Sequence, residues 1–130
     1  GVSLTHEIKC GLWYGPLHAR TTALLANFGY GLPDCRVWRY WDANQPVKTE
    51  GAPAKTIVMA RAGRALLAVS SYGPGGDVSL ALDLAALGVP ADAVARNAET
   101  GEPIERTAGG RFKLSLPRHD FRLIEVGPGQ

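Results

Sequence analysis

An alternation of apolar and polar side chains runs through the middle of the chain. Between residues 77 and 84, one face carries Val78, Leu80, Leu82 and Leu84, and the other carries Asp77, Ser79, Ala81 and Asp83. A period of two with one apolar face is typical of an antiparallel strand that lies on a core and has its other face in water. The same pattern returns over residues 111–116. The sequence therefore predicts a mainly β protein, an antiparallel β-sandwich with one N-terminal helix.

Further segments rich in β-branched and aromatic residues predict the remaining strands. They lie at residues 35–41, 55–61, 65–72, 93–98, 104–107 and 121–126. Residues 55–61 are apolar on both faces, which predicts a central strand, and the alternation slips within 121–126, which predicts either a bulge or burial on both sides. Ala62-Gly63 predicts a tight hairpin, and the glycine-rich turn at 73–76 a second hairpin. Residues 42–54 are expected to form a polar loop, and 84–87 a helical turn ended by Gly88.

The first 34 residues have a different pattern. One helical face carries Leu17, Thr21, Leu24, Leu25 and Phe28, with Pro16 suited to the first turn and Gly29 to the position after the end. This spacing predicts a helix over residues 16–28, after an irregular or short-strand segment at 7–14. We therefore expect residues 1–34 to be a connector or helical segment and residues 35–130 to be the sandwich domain.

Composition and charge limit the classes of partner. The 16 glycines and 9 prolines fall between the apolar segments, as a fold of short strands and tight turns requires. The formal net charge is only +2, and the 14 lysines and arginines are scattered. This distribution argues against nucleic acid or an anionic membrane as partner. Apolar segments fall well short of the ~20 residues of a transmembrane helix.

The strand and turn signatures resemble those of a known domain. The succession LLAVSSYGPGGDVSLALDLAALGVP, then ETGEP, then GGRFKLSLPRHDFRLIEV resembles the C-terminal β-sandwich of (β/α)8-barrel glycoside hydrolases, in particular bacterial proteins of family 123. The resemblance covers about residues 36–126 and consists of turn and core signatures. It implies that residues 2–34 are the tail of a preceding barrel or the connector to it, that the catalytic carboxylates belong to that barrel, and that the protein is secreted or periplasmic.

The acids, histidines and cysteines are the residue types that could form a catalytic or metal site. Glycoside hydrolysis needs two carboxyl groups roughly 5 to 10 Å apart, but the acids of this chain fall mostly in expected turns or on wet strand faces. His119 and Asp120 could in principle form a general-base pair, but adjacent residues of a strand point to opposite faces. We therefore interpret Asp120 as a turn or ion-pair residue and His119 as a hydrogen-bonded one. A zinc set of His6, Cys10, His18 and Cys35 matches no usual ligand spacing. No catalytic residue, metal ligand or cofactor is therefore predicted.

The aromatic residues Trp13, Trp38, Tyr40 and Trp41 are the ligand-binding candidates. Exposed Trp and Tyr rings stack on sugar faces and bury apolar area. On the expected strand, Trp38 and Tyr40 share a face about 7 Å apart. The alternative is that these rings pack the junction between helix and sandwich, since large aromatic residues are highly buried on average. Two alternatives also remain for Cys10 and Cys35: they form a disulfide, or they are two buried thiols.

Two functions follow from these expectations. The first is a non-catalytic accessory domain that packs against and stabilises the catalytic barrel of the same parent protein. The second is an autonomous carbohydrate-binding module whose exposed Trp and Tyr side chains bind a glycan. A domain separated from its barrel should expose an apolar patch, for which we expect Leu12, Trp13, Leu17 and Leu25, and this patch offers a surface for homodimerisation.

Overall fold

The computed structural model describes residues 23–107 and 110–129, and within these ranges the chain forms nine strands and two short helices. Residues 23–28 are helical (α1), and α2 is Leu84–Leu87. The strands are β1 (Arg36–Trp38), β2 (Val47–Gly51), β3 (Ala54–Arg61), β4 (Arg64–Ser71), β5 (Gly76–Leu82), β6 (Val94–Asn97), β7 (Glu105–Arg106), β8 (Phe112–Leu116) and β9 (Phe121–Gly127). A first sheet has the order β1-β3-β4-β9-β6 and a second the order β2-β5-β8-β7, with antiparallel pairing throughout. The predicted β-sandwich is confirmed.

The main core lies between the two sheets. Alternate side chains of β5, Val78 and Leu80, are fully buried there, whereas Asp77 is exposed, as the alternation predicted. They meet Leu67 of β4 and Ile124 of β9 from the first sheet. Full burial of such a side chain contributes about 1.5–3 kcal/mol to folding. These central positions therefore hold the two layers together.

The first sheet is also covered on its outer face. Phe28 of α1 packs against Met59 of β3 and Leu66 of β4, and Leu24 packs against a neighbouring cluster that includes Leu123 of β9. The three interior strands β3, β4 and β9 are thus apolar on both faces, which confirms the prediction for β3. In β9, Leu123 faces outward and Ile124 inward, so burial on both sides accounts for the slip in its alternation.

Several turns have the predicted conformation. Ala62 (φ 52°) and Gly63 (φ 78°) are both left-handed, as a two-residue hairpin turn between β3 and β4 requires. The helical turn α2 begins after Asp83, whose carboxylate accepts the Ala86 backbone N–H, and ends at Gly88 in the left-handed region (φ 70°). β7 pairs with β8 across residues 107–111, also as expected.

Two expectations for the strands are wrong. The glycine-rich segment at 73–76 does not close a hairpin, because β4 belongs to the first sheet and β5 to the second, so the segment carries the chain between the layers. The expected polar loop at 42–54 contains β2, which pairs with β5 from Val47 opposite Leu82 to Gly51 opposite Val78. β2 lies at the edge of the second sheet, where Lys48 and Glu50 are exposed to water. Charged residues are common on edge strands, which is why this strand resembles a polar loop in the sequence.

Several expectations fall on residues outside the described ranges. They are the segment at 7–14, the first part of the helix at 16–28, and the residues His6, Cys10, Leu12, Trp13, Leu17 and His18. The boundary between residues 34 and 35 stays a prediction. Among the residues described, no helix is long and apolar enough to cross a bilayer.

Candidate functional site

A tight turn after β1 presents two aromatic side chains. β1 ends at Trp38, and the next four residues form a turn in which the Asp42 backbone N–H donates to the Arg39 carbonyl oxygen at 3.0 Å. The carboxylate of Asp42 accepts the Arg39 backbone N–H at 2.6 Å. An aspartate that bonds to a backbone N–H three residues earlier competes with strand pairing and favours a turn. Tyr40 and Trp41 therefore occupy the two central positions of the turn.

Gln45 fixes this turn to the first sheet. Its Nε2 donates to the carbonyl oxygens of Arg39 and Thr56, at 2.9 Å each. Its Oε1 accepts the Thr56 hydroxyl at 2.7 Å, and Thr56 is only 2% exposed. β1 ends at Trp38, opposite Val58 of β3, so it does not pair with Thr56, which lies two residues earlier on β3. The Gln45 amide satisfies the polar groups of Thr56 instead. The turn is thereby held at a defined position on β3.

The rings at this corner and one lysine form a compact group. The rings of Tyr40 and Trp41 have centroids 4.9 Å apart and an interplanar angle of 87°. Lys55 Nζ lies 4.4 Å from the Tyr40 centroid and 4.8 Å from the Tyr72 centroid, so the ammonium sits between two ring faces. Trp41 is 53% exposed and Tyr72 49% exposed. We call Tyr40, Trp41, Tyr72 and Lys55 the aromatic corner.

Trp38 does not belong to this group. It pairs with Val58, so it faces the core between the sheets and packs at its margin, where the Arg36 guanidinium carbon lies 5.1 Å from its ring centroid. Tyr40, in contrast, contacts Lys55, which alternates with Ile57 and Met59 on the outer face. The expectation that Trp38 and Tyr40 share a strand face is wrong, because the strand expected over 35–41 ends at Trp38. Trp13 lies outside the described residues.

Tyr72 was missed by the sequence analysis. The hairpin at 62–63 pairs Arg61 with Arg64, and this register places Lys55 opposite Ser70. Tyr72 follows two residues later on the same face, in reach of the Lys55 side chain. Counting back from the hairpin turn would therefore have brought Tyr72 next to Lys55.

Five of the eleven acidic side chains in the described ranges make surface ion pairs. Asp120 Oδ2 accepts Arg122 Nη1 at 2.7 Å, and Glu50 and Arg111 pair at 2.5 Å. The hydrogen bond from Arg122 holds the pKa of the Asp120 carboxyl below its usual range, and that from Arg111 does the same for the pKa of Glu50. A general acid requires the opposite shift. These two carboxylates are therefore suited to ion pairing.

His119 is exposed in a left-handed conformation (φ 55°), and no hydrogen bond to its side chain is found in the part of the chain described. The expectation of a hydrogen-bonded His119 is therefore wrong, whereas the ion pair of Asp120 is confirmed. Cys35 is a free, half-buried thiol whose pKa is raised, chiefly by burial and then by Asp34. Within residues 23–107 and 110–129, no three His, Cys, Asp or Glu side chains lie close enough to hold a metal ion.

A shallow groove of about 290 Å³ lies between β6 and the end of β9. Its lining consists of Arg64, Val94, Arg96, Glu125, Gly127 and Pro128. Arg64 Nη1 pairs with Glu125 Oε1 at 3.2 Å, so the acid and one of the two arginines neutralise each other. Its described lining residues include no nucleophile and no pair of carboxylates.

The chain matches a known protein family. Residues 23–108, about two thirds of the chain, match the family described as glycoside hydrolase 123, C-terminal domain. The matched range runs from α1 through β7 and includes the whole aromatic corner. No curated protein matches the chain.

Proposed function

This chain belongs to the family of glycoside hydrolase 123 C-terminal domains, and on that premise we propose that it packs against and stabilises the catalytic (β/α)8 barrel of its parent protein and has no catalytic activity of its own. The family match supports the first part of the proposal, because an accessory domain of a glycoside hydrolase has the catalytic domain of the same protein as its nearest partner. The ion pairs and lowered pKa values of Asp120 and Glu50 support the second.

The loop after α1 is the surface that fits this role. Tyr30 is 38% exposed and Leu32 46% exposed, and both follow the helix directly. The loop is well anchored, because the Tyr30 backbone N–H donates to the Leu25 carbonyl at 3.0 Å and Arg61 Nε donates to Asp34 at 3.0 Å. Apolar side chains on a fixed loop lose little conformational entropy when a partner covers them. Burying a leucine there would contribute about 1.5–3 kcal/mol.

The test compares two aspartate substitutions in the full parent protein. Leu32→Asp places a charge in the proposed interface, and Val94→Asp places one at another exposed apolar side chain, 40% exposed on β6. We expect calorimetry of the parent to show separate unfolding of the two domains for Leu32→Asp only, with the isolated domain unchanged in Tm for both variants. Equal behaviour of the two variants in the parent would contradict this interface. If the sequence upstream of this domain lacked a (β/α)8 pattern, the proposal of a barrel as the partner would be wrong.

A second candidate function is glycan binding at the aromatic corner. The exposure of Trp41 and Tyr72 favours it, because exposed aromatic rings stack on the C–H face of a sugar. Trp38 packs at the core and is unsuited to this role. In a glycan array, Trp41→Ala should abolish binding while the Tm of the domain stays nearly unchanged. If the unsubstituted domain bound no glycan on the array, this function would be excluded.

A further inference from the structure

The aromatic corner carries a positive charge at its centre. Lys55 Nζ is within 5 Å of two ring centroids, those of Tyr40 and Tyr72, and the side chain is half-buried. Ring faces attract a cation through their quadrupole. Such rings hold the ammonium in place but do not neutralise it.

No carboxylate of the described residues lies within ion-pair distance of this ammonium. In the described residues, arginines and Lys113 form the ion pairs, and Lys55 takes part in none of them. The carboxylate in the adjacent turn, that of Asp42, accepts the Arg39 backbone N–H at 2.6 Å and serves to close the turn. An ammonium group has three N–H donors and no acceptor. Lys55 is therefore a fixed cation without an anionic partner in the part of the chain described.

We propose that the aromatic corner binds an acidic saccharide, with the sugar ring stacked on Trp41 or Tyr72 and its carboxylate or sulfate bound by Lys55. This inference rests on the second candidate function and names the class of sugar. A neutral sugar uses the rings but leaves the ammonium without a counter-charge. A carboxylate or sulfate accepts a charge-assisted hydrogen bond, which is roughly twice as strong as a neutral one.

The site is also preorganised for such a ligand. Gln45 and Asp42 fix the turn that carries Tyr40 and Trp41, and β3 carries Lys55. The edge-to-face contact of Tyr40 and Trp41 orients the second ring relative to the first. A saccharide that binds here meets rings and a cation already in position, so binding requires little ordering of the protein.

The experiment is calorimetric titration of the chain with matched pairs of saccharides. The first pair is a trigalacturonate and its fully methyl-esterified form, which share a backbone and differ in charge. The second pair is a sulfated oligosaccharide and its desulfated form. We expect at least one charged member to bind about tenfold more tightly than its neutral partner, and the advantage to shrink at high salt. The pair that shows the difference identifies carboxylate or sulfate as the anion.

Lysine variants assign the effect to one residue. Lys55→Met keeps the apolar stem and removes the charge, and should abolish the preference for the charged saccharide. Lys48→Met changes an exposed lysine of β2 and should leave it intact. Equal affinity for charged and neutral members would overturn the inference while leaving glycan binding established. Absence of binding to all four saccharides, with binding to other glycans on the array, would also overturn it; absence on the array as well would exclude the binding function itself.

Discussion

Gln45 is predicted to be a main determinant of stability at the aromatic corner. Its side chain makes three hydrogen bonds: two from Nε2, to the Arg39 and Thr56 carbonyl oxygens at 2.9 Å, and one from the Thr56 hydroxyl to Oε1 at 2.7 Å. Gln45→Ala removes all three at once. It also leaves the hydroxyl of Thr56, a residue only 2% exposed, without its acceptor.

The expected cost follows from these contacts. A net contribution of about 1 kcal/mol for each hydrogen bond gives a loss of about 3 kcal/mol in the free energy of unfolding. Single domains are typically stable by about 5–15 kcal/mol, so this loss is a large fraction. For a domain of this size it corresponds to a fall of about 10 °C in Tm.

The assay is urea denaturation followed by far-ultraviolet circular dichroism. Thr56→Val is the matched control, because it removes one of the three hydrogen bonds and keeps the shape of the side chain. It should cost about 1 kcal/mol, and the double variant should show a coupling of similar size. A loss below about 1 kcal/mol for Gln45→Ala, or strict additivity in the double variant, would refute the role given to the amide.

Two further predictions concern the crossover and the last turn. A Cβ atom at Gly75 would lie 2.5 Å from the Leu116 carbonyl oxygen, so Gly75→Ala should cost about 1–3 kcal/mol, whereas Gly73→Ala, with its nearest contact at 3.5 Å, should be nearly neutral in the same denaturation assay. Equal effects of the two alanines would contradict the close approach. The pKa of Asp120 is lowered in the folded state, so its ion pair stabilises the protein above the usual carboxyl pKa near 4 and this contribution is lost as the pH falls through the folded value. Asp120→Asn should therefore lower the stability at pH 7 and flatten its decline in acid, and an unchanged acid profile would be the opposite result.

The strands that the sequence predicted best are those whose environment is uniform along their length. β5 has one buried and one wet face, and β3 has two buried faces, so their side-chain patterns identify them directly. The hairpin at 62–63 is equally local, because both of its residues must be left-handed. These features depend on neighbours in the sequence, which a single chain displays.

The features that were missed depend on partners distant in the sequence. β2 is mostly polar and forms a strand because β5 pairs with it, and the crossover at 73–76 has the same composition as a hairpin turn. The aromatic corner required two such facts: that Asp42 ends β1 at Trp38, and that the β3–β4 register brings Tyr72 to Lys55. The first has a local signal, an aspartate three residues after Arg39, and the second follows from the strand register that the hairpin at 62–63 sets.

The two proposed surfaces lie at opposite ends of β3. Arg61 anchors the loop that carries Leu32, and Lys55 occupies the aromatic corner six residues earlier on the same strand. Six residues of a strand span about 20 Å, so a barrel docked at the Leu32 end does not have to cover the Lys55 end. Leu32→Asp should therefore separate the unfolding of the two domains in the parent and leave saccharide affinity unchanged, while Trp41→Ala should do the reverse. If either variant impaired both properties, the two surfaces would have to be one interface, and the barrel itself would be the occupant of the aromatic corner.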